Sequence, residues 1–188
     1  NPFNEFISEL IFRIQEFDSD LSLEAKDAIF RINRDLRFSK DKSPYKTWIS
    51  ANMNNQGKRT SPNSVGYYVH IDPEFVQIGG GSYHLDKYGT QAIRSAIMNE
   101  PNAINKILNS KNFKHVYGEI QGDKNKRIPA EFKETYETQP LIANKNFYYM
   151  TQLDVEAITL NNFIEMVTEY HRLGNNLNEF LKSALVNL

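Results

Sequence analysis

Phe3, Phe6, Ile7, Leu10, Ile11, Ile14 and Phe17 recur at steps of three and four, which is one apolar face of an amphipathic helix. Asp18 to Asp20 breaks that pattern, and Ser22 before Leu23-Glu24-Ala25 suits a short capped helical turn. Residues 29–38 and 47–53 read as strands, separated by a polar loop with Pro44. Residues 65–71 and Phe75 to Gly79 alternate as strands around Asp72-Pro73-Glu74, which predicts a hairpin whose second strand ends in Gly79-Gly80-Gly81-Ser82. A helix is expected after Asp86, and a second after Glu100-Pro101, where Pro suits a first helical turn. Residues 113–121 and 147–152 read as short strands. A long C-terminal helix is expected from near Asp154, with an interruption at Gly174. Strands in hairpin-like succession between helical blocks, without βαβ alternation, predict a single α+β domain over residues 1–188 with a mainly antiparallel sheet.

Composition adds exclusions. The 188 residues carry 22 basic and 23 acidic side chains, a formal charge of -1, which argues against coating nucleic acid or an anionic membrane through bulk charge. Cys is absent, so disulfides, thiolate metal sites and a Cys nucleophile are excluded from this sequence. No apolar run approaches the roughly 20 residues of a membrane span, and no signal peptide is recognisable, so the expected location is cytoplasmic. The chain opens at Asn1 rather than Met, so a preceding segment is expected.

The charge is nevertheless placed unevenly. Residues 31–46 hold Arg31, Arg34, Arg37, Lys40, Lys42 and Lys46 against only Asp35 and Asp41. In a strand, Phe30, Ile32, Arg34, Leu36 and Phe38 would share one face, and Arg31, Asn33, Asp35 and Arg37 the other. Guanidinium forks favour bidentate carboxylate or phosphate partners. The segment therefore points to a basic, tyrosine-rimmed cleft for a small anionic ligand. Arg31, Arg34, Arg37, Lys42 and Lys46 would supply the charge, Asp35 would orient the guanidiniums, and Tyr45 would add a hydroxyl. The opposing reading is an internal salt-bridge lattice with solvated lysines.

Gly80 and Gly81 could bring backbone N–H groups to an anion ahead of the next helix, although the run lacks both the G-x-G-x-x-G and P-loop patterns; close backbone packing is the alternative. Tyr67, Tyr68, Tyr83 and Tyr88 could stack bases or sugars, or simply pack the sheet. His70 and His84 are candidate proton-transfer groups, with structural roles as the alternative. The four histidines show no metal-ligand spacing, so no metal and no cofactor is expected. No nucleophile–base pair is assignable, which leaves enzymatic activity open. A nucleic-acid interface would need Lys58, Arg59 and the run Lys124, Lys126 and Arg127 to continue the Arg31–Lys46 stripe, and the overall charge weakens that reading. The oligomeric state is open.

The run Phe30-Arg31-Ile32-Asn33-Arg34-Asp35-Leu36-Arg37-Phe38-Ser39-Lys40-Asp41-Lys42-Ser43-Pro44-Tyr45-Lys46 resembles the F-R-I-x-R-D-x-R-F-S-x-D-K-x-P-Y-K signature of a bacterial and fungal family called domain of unknown function 2461. Gly66-Tyr67-Tyr68, Gly79-Gly80-Gly81, Ile93-Arg94, Gly122-Asp123 with Lys126-Arg127, and Phe147-Tyr148 extend the resemblance over nearly the whole chain. It implies one α+β domain and brings no activity with it.

Overall fold

The computed structural model describes residues 1–33, 43–57, 61–186 and 188. Four strands form one antiparallel meander in the order β1-β2-β3-β4: β1 (Ile49–Met53), β2 (Gly66–Ile71), β3 (Phe75–Ser82) and β4 (Phe147–Asp154). The β2–β3 hairpin turns at Asp72-Pro73-Glu74 as the turn residues dictate, with the Asp72 carboxylate accepting from the Glu74 N–H at 3.1 Å. The glycine run forms the last part of β3, which ends at Ser82, and it is fully paired. Gly79, Gly80 and Gly81 pair with Met150, Tyr149 and Tyr148 of β4 on one side, and with Tyr68, Tyr67 and Gly66 of β2 on the other.

Helices cover one face of this sheet. The first is α1 (Pro2–Ile14), opened by Asn1 accepting from the Phe3 N–H at 3.1 Å and burying Ile7, Leu10, Ile11 and Ile14, as its periodicity requires. A single turn, α2 (Ala25–Ala28), follows. Asp86 caps α3 (Lys87–Asn99) through a 2.7 Å bond from the Gly89 N–H, and Pro101 opens α4 (Pro101–Leu108).

Three expectations need correction. Residues 29–33 form isolated bridges, Ile29 to Ala51 and Asn33 to Tyr45, rather than a continuous strand. The rest of the predicted 29–38 strand lies outside the described residues. Residues 113–117 belong to helix α5 (Lys111–Tyr117), because Phe113 and Tyr117, four apart, bury one helical face against Tyr149. Two short helical pieces enclose α6 (Lys133–Thr138) and lead into β4. The last helix, α7 (Phe163–Leu185), starts later than expected, after a 3₁₀ turn at Val155–Thr159, and runs unbroken through Gly174.

Helix α7 lies along the covered face and joins two apolar clusters. Phe163 and Val167 meet Ile7, Leu10, Val69 and Ile78, while Leu177, Leu181 and Leu185 meet Ile93, Ile104, Phe113 and Tyr149. Between the clusters runs a buried polar seam. The Tyr67 hydroxyl donates to Asp18 at 2.8 Å, and Lys182 of α7 pairs with the same carboxylate at 2.5 Å. Asn178 accepts from the Tyr149 hydroxyl at 3.2 Å and donates to the Gly66 carbonyl at 3.1 Å. These bonds satisfy groups whose burial would otherwise be costly, and they fix α7 over the middle of the sheet.

Candidate functional site

Alternation along the strands sends Ala51, Met53, Tyr67, Val69, Val76, Ile78 and Tyr149 into the helical layer. The intervening positions face the other way. There the sheet forms the floor of a cavity of about 480 Å³, lined by Asn52, Tyr68, Gln77, Tyr148 and Met150, with Phe30, Tyr83, His84 and Gln121 around it. This volume falls within the roughly 300–1,000 Å³ range of small-molecule sites. Gly80 and Gly81 also line it. At Gly81, φ is +100° and a Cβ would lie 2.4 Å from the Phe147 carbonyl oxygen. Any side chain there would be strained and would press on the β4 backbone, so glycine preserves the close β3–β4 pairing.

A ladder of rings continues from the cavity towards the β1 edge. The Tyr68 hydroxyl lies 3.2 Å from His70 Nδ1. The His70 ring stacks between Phe75 at 5.6 Å and Trp48 at 4.8 Å. Lys46 Nζ sits 4.1 Å over the Trp48 ring, within reach of a cation–π interaction. Burial is the main cause of a lowered His70 pKa, and Lys46 adds to the lowering while Asp72 opposes it. The neutral imidazole is therefore favoured near pH 7.

Arg31 completes this edge. It follows Phe30, whose N–H donates to the Ser50 carbonyl at 3.0 Å, and the Lys46 N–H donates to the Ile32 carbonyl at 2.8 Å. These bonds hold the two segments of the basic motif side by side. The Lys46 ammonium has its pKa lowered, first by burial and then by the Arg31 guanidinium. Among the described residues, no carboxylate pairs with either cation within 4.0 Å. Tyr45 is exposed beside them. Arg34, Asp35, Arg37 and Lys42, expected to share this site, lie outside the described residues, as do Lys58 and Arg59.

The tyrosines divide by strand parity. Tyr67 and Tyr68 both border the cavity, but Tyr68 lies on its floor, whereas Tyr67 is fully buried and sends its hydroxyl to Asp18 in the polar seam. Tyr83 lines the cavity, and Tyr88 is exposed on α3. Both histidines singled out from sequence border this face, His84 in the cavity and His70 in the ladder. Arg94 is structural: its guanidinium donates to the Ile142 and Asn144 carbonyls at 2.7 and 3.1 Å. Sequence reasoning missed Tyr148, Gln77, Asn52 and Gln121. The parity of Phe147-Tyr148-Tyr149 was the available signal for Tyr148, since two core aromatics flank it.

Among the described residues, no group of three His, Asp or Glu side chains is arranged to hold a metal ion, and no helix is long and apolar enough to cross a membrane. No curated protein and no solved structure matches the chain. The sequence profile of one family does match, over residues 1–180. The chain therefore belongs to the conserved hypothetical protein family DUF2461.

Proposed function

We propose that this protein binds a small anionic ligand, bearing phosphate or carboxylate, in the cleft on the open face of its sheet. One observation carries the reading: the bond from the Lys46 N–H to the Ile32 carbonyl sets Lys46 beside Arg31, and neither cation has a described acid partner, so burial and their mutual repulsion both weigh on the Lys46 ammonium. They stand beside a cavity that Phe30, the residue preceding Arg31, helps to line. An anion seated between them would remove that repulsion and gain charge-assisted hydrogen bonds. Arg34, Arg37 and Lys42, assigned from the sequence, would add to the same field, with Asp35 orienting the guanidiniums and Tyr45 offering a hydroxyl. Gly80 and Gly81 border the cleft, but the space a side chain would need at Gly80 is taken by the Tyr149 hydroxyl in the buried layer, and at Gly81 by the β4 backbone. Their backbones are committed to strand pairing on both sides.

Calorimetric titration with inorganic phosphate tests this reading. The wild-type chain is expected to bind, and the double variant Arg31→Gln/Lys46→Gln to bind at least tenfold more weakly at unchanged thermal stability. Equal affinity in the two proteins would remove the proposal.

A further inference from the structure

Within the cleft the chemistry changes from charge to neutral hydrogen bonding. Asn52, Asn54, Gln77 and Gln121 all line it. Their internal bonds leave different ends unused. Asn54 Oδ1 already accepts from the Gln56 N–H at 2.8 Å, which leaves its NH₂ group as a donor. Gln77 Nε2 donates to Gln152 at 3.4 Å, and Gln121 Nε2 donates to the Met150 carbonyl at 3.2 Å, which leaves both Oε1 atoms as acceptors. Asn52 makes no side-chain hydrogen bond among the described residues and offers both kinds. No Asp, Glu, Lys or Arg is among the described lining residues.

Aromatic faces accompany this set. Tyr83 and Tyr148 stand 5.2 Å apart with their planes tilted by 58°, and Tyr68 and Phe30 also line the cleft. Mixed neutral donors and acceptors read the hydrogen-bonding edge of a nucleobase, and aromatic side chains hold its face. A sugar phosphate presents no π face to match the rings. A free oxyanion would leave the carboxamides unused.

We propose that the ligand is a nucleoside monophosphate, its base held between the tyrosines and the carboxamides and its phosphate directed to Arg31 and Lys46. The phosphate half rests on the anion-binding reading above; the base half stands on the carboxamides and rings alone.

The full chain is titrated calorimetrically with inorganic phosphate, with the four common ribonucleosides and with their 5′-monophosphates. At least one monophosphate is expected to bind tenfold or more tightly than both its nucleoside and phosphate. Gln77→Ala and Tyr148→Ala should each weaken that monophosphate at least tenfold while leaving phosphate affinity unchanged. Gln77→Ala serves should Tyr148→Ala fail to fold. Arg31→Gln/Lys46→Gln should reduce the monophosphate to the level of its nucleoside. Phosphate binding without any nucleoside or monophosphate binding would overturn the base assignment and leave the anion site standing. Nucleoside binding with no gain from the phosphate would overturn the anion reading and leave the base half. Glucose 6-phosphate binding as tightly as the best monophosphate would overturn the inference, as would an RNA oligonucleotide that binds where no monophosphate does.

Discussion

Replacing Gly174 by Ala should destabilise the protein by about 2 kcal/mol, although alanine is the better helix former. Propensity alone favours Ala over Gly inside a helix by roughly 1 kcal/mol. Packing opposes it. A Cβ at 174 would lie 2.2 Å from the Tyr149 hydroxyl and 2.3 Å from two of its ring carbons, far inside van der Waals contact. The Tyr149 ring has little room to retreat. It is fully buried, its hydroxyl is bonded to Asn178, and the edges of Tyr117 and Phe113 lie against it at centroid distances of 4.7 and 5.7 Å. A Cβ on Gly80 would likewise come within 2.5 Å of that hydroxyl. Overpacking of a tight core costs roughly 1–3 kcal/mol and sometimes more, so strain wins. For a chain of this size the fall in Tm is then roughly 4–8 °C. Thermal unfolding of Gly174→Ala measures it directly. Combination with Tyr149→Val should be less than additive, because the smaller side chain vacates the space that the new methyl needs. An unchanged or raised Tm for Gly174→Ala would show that the helix and sheet are not in the contact described.

Acidification should unfold the protein through His171. This residue lies on α7, fully buried, with neither ring nitrogen hydrogen-bonded, and packs edge-on to Tyr67 at 5.3 Å. Burial alone pushes its pKa down to about 3, from 6.5. The folded state thus refuses a proton that the unfolded chain accepts below about pH 6.5. Between the two values the unfolded state binds more protons, so stability falls as pH falls. The loss reaches about 2 kcal/mol by pH 5, and it grows towards pH 3. His171→Leu removes this dependence. It also removes a ring N–H buried without a partner, a defect that costs roughly 1–3 kcal/mol. The variant is expected to match or exceed the wild-type Tm at pH 7 and to exceed it by a wider margin at pH 5. Parallel losses in both proteins over that range would assign the acid sensitivity elsewhere.

These two residues mark where the sequence was legible and where it was not. Periodicity located α1, the Asp86 cap, the Pro101 start of α4 and the β2–β3 hairpin, because each is set by neighbours within a few positions. Gly174 reads as a helix breaker by its own propensity. It is instead retained for the space that Tyr149 occupies, and Tyr149 is remote in sequence. Helix α5 failed for the same reason: Phe113 and Tyr117 look strand-like until Tyr149 is there to pack on. At the candidate site, the sequence crowds six basic residues into positions 31–46, of which Arg31 and Lys46 are described and lie at the cleft edge, and it singles out Tyr68, Tyr83 and His84, which border the same face. It did not bring in Gln77, Gln121 or Asn52. Those three come from separate segments, and only the meander of β1 to β4, with the chain before β4, assembles them.

Trp48 offers the most direct measurement of whether the cleft edge binds anions. It is the only tryptophan in the chain, and it sits beneath Lys46 and against His70. Titration with inorganic phosphate at low ionic strength should change its fluorescence along a saturating curve. Added salt should weaken the apparent affinity, and Arg31→Gln/Lys46→Gln should abolish the change. A flat titration, or an identical curve in the double variant, would contradict anion binding at this edge.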